Sequence, residues 1–303
     1  MIRPETSPSV SFANIAKLIG ADFDQDFEVS GIAQNAADIE SGDIFLAIPG
    51  AKHHGIEFLD SAIENGAVAV ITDQKGSNLK LPTLIVDNPR RIAGEVAAYI
   101  YGEPSQNIFT IGVTGTNGKT TVTTLLHQIW QRANWDSGLI GTVNTQINSE
   151  VLPATHTTPE AAPLQAMIAT MKERHVRALA MEVSSHALEQ YRANGAHFNV
   201  SAFTNLTQDH LDFHGSMEKY GAAKAKLFNL EYAENALMNI DDSFGKQLFE
   251  NSTIPAISIS RTALTATWHY EKIAVNGYKT EIAIRGEGGI LIEGEISLIG
   301  EHN

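Results

Sequence analysis

No cysteine occurs among the 303 residues, so disulfides and thiolate metal sites are excluded. Basic residues are few. Twenty-one Lys and Arg stand against 35 Asp and Glu, and the net charge is −14. That balance argues against the broad positive surfaces needed for sequence-independent nucleic-acid binding or for attachment to anionic membranes. It says little about a nucleotide site, where one lysine and some backbone amides suffice. No apolar run is long enough to cross a bilayer, and the opening MIRPETSPSVSFANIAKLIG lacks the apolar core of a secretory leader. A soluble cytoplasmic protein is the expectation. Low-complexity segments are absent too, and a hydrophobic share of 43% can build sizeable cores, with two domains as the prior from length.

What is present is organised around residues 108–121, Ile-Phe-Thr-Ile-Gly-Val-Thr-Gly-Thr-Asn-Gly-Lys-Thr-Thr. An apolar β-branched run enters a Gly-rich turn that ends in Gly118-Lys119-Thr120-Thr121, and a helical pattern follows through Leu125, Leu126, Ile129 and Trp130. Strand, Gly-rich loop, Lys, Thr and helix are the layout of a phosphate-binding P-loop. Gly115 and Gly118 let the backbone approach a polyphosphate. Lys119 is placed for the β- and γ-phosphates and the Thr120 hydroxyl for Mg²⁺. The one irregularity is Val113, where the usual pattern has its first glycine. The bland alternative is a Gly-rich turn before an ordinary helix.

Before this stretch, Ser11 caps a short helix carrying Phe12, Ile15 and Ile19, and Ile44–Ile48, Val68–Ile71 and Leu84–Val86 read as strands. Helices are expected around Ile56–Ile63 and over Arg90–Ile100. The alternation implies an α/β domain. The turn-rich Tyr101–Ser105 marks a boundary, giving domains 1–102 and 103–303. After the P-loop helix, strands are expected at Ser137–Ile140, Ala178–Glu182 and Val200–Thr204, then weaker ones at Ala236–Met238 and Ile257–Ile259. The expected helices are Ala161–Arg174 and Ser216–Phe228, and a polar stretch runs from 141 to Pro159. From about Thr265 the pattern becomes short strands (267–270, 279–284, 290–293, 295–299) with turns at Asn276-Gly277 and Gly286–Gly289, a small antiparallel sheet. The fold class is α/β: a small N-terminal α/β domain, then a P-loop domain with a mainly parallel sheet and an antiparallel β-subdomain.

In parallel α/β sheets ligands collect beyond the carboxyl ends of the strands. Three strands deliver polar residues there: the P-loop; Glu182, Ser184, Ser185 and His186; and Asn205, Thr207, Asp209 and His210. Glu182 fits the second Mg²⁺ ligand a P-loop needs, against the reading of a solvated strand-end carboxylate. His210 stands equally as metal ligand or polar loop residue. His186 and His214 lean to structural roles, and Asp209 and Asp212 stand as metal ligands or as ordinary turn residues. Lys224 and Lys226, on a helix, would ordinarily be solvated.

Four motifs together resemble the Mur ligase family: residues 114–121; His156-Thr157-Thr158-Pro159; Met181-Glu182-Val183-Ser184-Ser185-His186-Ala187-Leu188; and 204–215, Thr-Asn-Leu-Thr-Gln-Asp-His-Leu-Asp-Phe-His-Gly. The first is shared with folylpolyglutamate synthetases. The second and third resemble the MurE type, which adds a diamino acid to UDP-N-acetylmuramoyl-L-alanyl-D-glutamate in peptidoglycan synthesis. The resemblance runs from about residue 28 to the end. It implies ATP as substrate with Mg²⁺, an acyl phosphate, and attack by the amine of a diamino acid, diaminopimelate being the general expectation. By resemblance Gly115, Thr116, Asn117, Gly118, Lys119, Thr120 and Thr121 bind ATP. Thr120 and Glu182 hold one Mg²⁺, and His210 and Lys224, the latter as a carbamate, hold a second. Lys119, Lys224 and His210 are then the catalytic set. Thr157, Thr158, Ser184, Gln190 and Arg192 match positions that contact the UDP-muramoyl substrate, and Lys52 and His53 lie where the family approaches uridine.

Two departures accompany this. The family's Asp-Ser-Arg triplet near the uridine is replaced by Asn35-Ala36-Ala37, which leaves backbone contacts to hold that moiety. The family's third domain would begin where the sequence ends, at His302-Asn303, so a fragment or a short homologue is expected. Two rivals remain. One is another amide ligase of the superfamily, such as the D-Ala-D-Ala-adding type. The other is a non-catalytic or partner-dependent nucleotide-binding module. Nucleic-acid and membrane partners are not expected.

Overall fold

The computed structural model describes residues 1–6, 9–50, 52–74 and 79–297. The chain divides into two compact units. The first comprises Met1–Phe109, Thr158–Arg177 and His186–His197; the second comprises Thr110–Thr157, Ala178–Ser185 and Phe198–Asn303.

The first unit is built on a four-stranded parallel sheet in the order Gly31–Ala33, Asp43–Ala47, Ala69–Thr72, Thr83–Ile85. Asp43–Ala47 and Ala69–Thr72 are buried along their whole length, as the apolar runs 44–47 and 69–71 in a parallel sheet should be, and buried Asp43 is paired with Arg3. Ser11 caps helix Phe12–Leu18 as expected, its side chain accepting a bond from the Asn14 amide. Phe12 stacks on Phe27 and meets Phe23 edge-on, with ring centroids 4.8 and 4.9 Å apart. Helix Pro89–Ile100 starts on an Asn88 cap. It shares a core with a helix from much later in the chain, Ala161–Glu173, through Ala93, Val96, Ala97 and Ile100 against Ala161, Ala162, Ala166 and Ala169. Small residues on both helices allow that close approach.

The second unit is an eleven-stranded sheet. Its parallel centre runs Ser137–Ile140, Ala178–Glu182, Phe109–Thr114, Phe198–Phe203, Ala233–Asn239, Ala256–Ser260. At one edge a hairpin, Asn144–Ile147 with Glu150–Pro153, adds antiparallel strands. The polar stretch from 141 to Pro159, for which no element was expected, contains a hairpin, whose alternation (Thr145 and Ile147 buried) is too short to stand out. At the other edge Trp268–Asn276, Lys279–Arg285 and Leu291–Ile296 form the antiparallel part. It continues the main sheet, because Ile259 and Ser260 pair in parallel with Trp268 and His269. Residues 290–293 and 295–299, expected as two strands, are one strand through Gly294. Residues 298 and 299 of that expectation, like His302 and Asn303, lie outside the described residues.

The P-loop helix, Lys119–Arg132, corrects the expected apolar pattern. Its buried face is Thr123, His127 and Trp130, while Ile129 is 59% exposed. His127 sits inside because both ring nitrogens have partners, Gln146 Oε1 and Ser137 Oγ, each at 2.9 Å. Short helices Ser185–Glu189, Leu211–His214 and Ser243–Glu250, and strands Val10–Ser11, Glu28–Val29 and Gly31–Ala33, are further elements not expected from the sequence.

A Gly→Ala change inside a helix ordinarily stabilises by about 1 kcal/mol. At Gly94, within Pro89–Ile100, a Cβ would lie 1.8 Å from the Asn194 carbonyl oxygen. Gly94→Ala is therefore predicted to lower unfolding free energy in urea by about 1–3 kcal/mol; a stabilised variant would contradict this packing.

Candidate functional site

Strand Phe109–Thr114 delivers the loop, and Gly118, at φ +85°, starts helix Lys119–Arg132 with no side-chain cap. The first amides of that helix lack intrahelical partners, as in any α-helix, and are the donors an anion would meet. Gly115 is at φ +148°, and a Cβ there would lie 1.9 Å from Thr204 Oγ1. Only glycine fits. The end of the neighbouring strand, Phe198–Phe203, braces the loop from that side. The Asn205 carbonyl accepts from the Thr116 amide (2.8 Å), and Asn205 Oδ1 accepts from the Asn117 amide (3.0 Å). The Thr204 hydroxyl donates to the Asn117 carbonyl (2.6 Å), and the Thr207 amide donates to Thr116 Oγ1 (3.0 Å). Asn205 and Thr207 thus shape the loop, a role that their sequence positions did not disclose.

Two ammonium groups converge on the loop. Lys119 Nζ donates to the carbonyls of Gly115 and Thr116, both at 2.9 Å. Lys224 Nζ donates to the same Gly115 carbonyl at 2.8 Å and lies 4.4 Å from the centre of the Tyr220 ring. Helix Met217–Ala225, capped by Ser216, carries Lys224 inward, where it is 1% exposed. The solvated-face reading of this lysine fails for that reason. Burial, and then the neighbouring Lys119, push the Lys224 ammonium down to about 7, with Asp209 opposing. Burial also lowers Lys119, against Glu182 and Asp209.

Glu182 closes strand Ala178–Glu182 and is 1% exposed. Its Oε1 accepts from the Thr142 amide at 2.9 Å and its Oε2 from the Thr142 hydroxyl at 3.0 Å. With Thr120, Thr124, Gly141, Asn144 and Gln146, Glu182 lines a cleft of about 140 Å³. Thr120 and Thr121 are half-buried at the helix start. Thr157 Oγ1 is 3.0 Å from Thr142 Oγ1, and Ser184 is half-buried two residues after Glu182.

His210, at φ +51°, has a half-exposed side chain 3.4 Å from Asp209 Oδ2. Its ring meets the Tyr220 ring edge-on at 6.1 Å, so His210 and Lys224 flank the same tyrosine. His214 is buried and pairs with Ser185 Oγ at 2.9 Å. Among the described residues no three His, Asp or Glu side chains form a ready-made metal cage. Mg²⁺ does not require one, since it is commonly held by one or two carboxylates plus nucleotide phosphates and water. Glu182 and the Thr120 hydroxyl, hard oxygen donors in one cleft, fit that description.

The remaining candidates lie in the first unit. Arg192 Nε is 2.9 Å from Glu160 Oε1, and Arg192 Nη1 reaches the Thr158 carbonyl at 3.5 Å. Arg90 shares the same carboxylate through Oε2 at 2.8 Å. One carboxylate, Glu160, is thus shared by two guanidiniums. Gln190 is half-buried two residues before Arg192. Lys52 and His53 are exposed, and His53 Nδ1 pairs with Glu57 Oε2 at 3.0 Å. Asn35 caps a short 3₁₀ turn through Ala37.

Sequence reasoning missed Thr142, Tyr220 and Thr204. Thr142 and Thr204 matter through neighbours distant in sequence that the strand order brings close, and Tyr220 through Lys224 one helical turn on and through the Thr116 hydroxyl 3.2 Å from its own.

Two family models match this chain. Residues 113–303 match the Mur ligase middle domain, and residues 28–101 match the Mur ligase family, catalytic domain. A UDP-N-acetylmuramoyl-L-alanyl-D-glutamate–2,6-diaminopimelate ligase of Streptomyces coelicolor is 38% identical over 99% of this chain. The enzyme of the same name from Corynebacterium efficiens is 40% identical over 88%. The chain spans about 60% of the first relative's length and 54% of the second's. A solved structure of a ligase of that name superposes with a TM-score of 0.83 at 24% identity, covering 97% of this chain and 61% of that one. No helix among the described residues is long and apolar enough to cross a membrane. With a family model matched along most of its length, the chain belongs to the Mur ligase family.

Proposed function

We propose that this chain is the substrate- and ATP-binding part of a cytoplasmic ligase of peptidoglycan synthesis. The ligase joins a diamino acid, 2,6-diaminopimelate by analogy with the named relatives, to UDP-N-acetylmuramoyl-L-alanyl-D-glutamate. The observation that carries the reading is the convergence of Lys119 and Lys224 on the Gly115 carbonyl, beside a cleft shared by Thr120 and Glu182. Residues up to about 102 take the UDP moiety and residues from 103 take ATP, in this reading. Thr157, Thr158, Ser184, Gln190, Arg192, Lys52 and His53 are its substrate contacts.

The γ-carboxylate of the D-glutamate attacks the γ-phosphorus of ATP. The bond from phosphorus to the bridging oxygen breaks, and ADP leaves. The amine of the diamino acid then attacks the acyl carbon, the carbon–oxygen bond breaks, inorganic phosphate leaves, and the amine gives up a proton to solvent. Negative charge gathers on the transferred group. Lys119 and the helix amides are placed to offset it once Lys119 leaves its loop carbonyls. Mg²⁺, held by Thr120 and Glu182, would neutralise phosphate charge, with a second ion held by His210 and Lys224. A lysine serves there as a carbamate. An amine whose pKa is pushed down to about 7 is substantially neutral at cellular pH, the form that adds carbon dioxide.

The test is turnover. Protein, ATP, Mg²⁺, UDP-muramoyl dipeptide and meso-diaminopimelate should yield phosphate and UDP-muramoyl tripeptide. UDP-muramoyl tripeptide with D-Ala-D-Ala should yield neither. The reverse pattern would assign the chain to another branch of the superfamily. Nucleotide binding with no product in either mixture would favour a binding module.

Lys224→Ala should reduce phosphoryl transfer by about 10²–10³-fold, with partial recovery on adding short-chain carboxylic acids; unchanged transfer would refute its metal role. Burial also sets a pH dependence. The folded protein releases the Lys224 proton near 7, the unfolded chain only near 10.4. The unfolded state therefore binds more protons between those values. In carbon-dioxide-free buffer, wild type should gain stability over Lys224→Met as pH rises from 7, by up to about 1.4 kcal/mol per unit. A difference that stays flat with pH in urea unfolding would contradict the burial of a titrating amine.

A further inference from the structure

We infer that Thr142 is a positioning residue for the metal ligand Glu182, an inference that rests on the reading of Glu182 given above. Glutamate has three side-chain torsions, and a strand-end glutamate ordinarily samples several of them. Here both carboxylate oxygens are held by one residue: Oε1 by the Thr142 amide at 2.9 Å and Oε2 by its hydroxyl at 3.0 Å. Two bonds from one rigid β-branched residue fix the carboxylate plane as well as its place. Gly141 makes the approach possible, because a Cβ there would lie 2.4 Å from Glu182 Oε1.

The hydroxyl direction is determined as well. An ionised carboxylate only accepts, so the Thr142 hydroxyl donates to Glu182. Its proton is then committed, and the Thr157 hydroxyl, 3.0 Å away, is the donor in the next bond. Thr157 therefore orients Thr142, and Thr142 orients Glu182 toward the cleft that Thr120 also lines. Groups that orient a metal ligand from behind commonly contribute about 10–100-fold to metal affinity. Thr142 itself is exposed, so replacing it leaves the packed core intact.

Mn²⁺ is the probe, with free ion counted by electron paramagnetic resonance in the presence of saturating ADP. Thr142→Val, which keeps shape and amide but removes the hydroxyl, should weaken Mn²⁺ binding by about 10-fold. Thr142→Ser should restore most of the affinity. ADP binding in EDTA should be the same for all three proteins. Thr142→Val binding Mn²⁺ like wild type, or Thr142→Ser as weak as Thr142→Val, would overturn the inference. Glu182→Gln separates the two levels. If it loses Mn²⁺ while Thr142→Val does not, only the positioning role fails; if it too binds normally, the reading of Glu182 as a ligand fails.

Discussion

A single backbone carbonyl, that of Gly115, receives the ammonium groups of both Lys119 and Lys224. Bringing two like charges to one acceptor in a buried place is unfavourable unless something compensates. Part of the compensation is that the deeper lysine gives up its proton readily. The rest is geometric. Gly115 can present its carbonyl this way only at a φ of +148° and without a Cβ, because Thr204 fills the space beside it. The loop, the strand that braces it and the helix that brings Lys224 inward are therefore interdependent. Lys119 now holds loop carbonyls in the way it would hold phosphate oxygens, and a nucleotide offers it better partners.

Around that centre the second unit places its other polar groups at the carboxyl ends of adjacent parallel strands. Strand order makes Glu182 a neighbour of the loop and Thr142 a neighbour of Glu182. Of the antiparallel additions, the hairpin supplies Asn144 and Gln146 to the wall of the Glu182 cleft. The first unit has a separate polar cluster, two arginines on one carboxylate.

The P-loop was legible because strand, glycine turn, lysine and helix are contiguous, and because Gly115 and Gly118 do what their residue type allows. Helix Phe12–Leu18 was legible for a similar reason, through its Ser11 cap. The hairpin at 144–153 was not, since its strands are four residues each, too short for an alternation to stand out. Nor was the inner face of the P-loop helix. Periodicity ranks Ile129 above His127, yet His127 is buried because Ser137 and Gln146 satisfy it. Lys224 shows the limit most clearly. Helical spacing alone assigns a lysine to solvent, and only family resemblance pointed inward. Its burial depends on Tyr220 and on a carbonyl 109 residues away. Thr142 was invisible for the same reason, as its significance is its contact with Glu182, 40 residues on.

The structure of this protein with magnesium ADP bound tests the central claim most directly. The account predicts the β-phosphate on the amides that open helix Lys119–Arg132. Lys119 Nζ should have moved from the Gly115 and Thr116 carbonyls to that phosphate, with Thr120 and Glu182 beside the metal. Nucleotide bound elsewhere, or Lys119 still on its loop carbonyls with phosphate present, would contradict it.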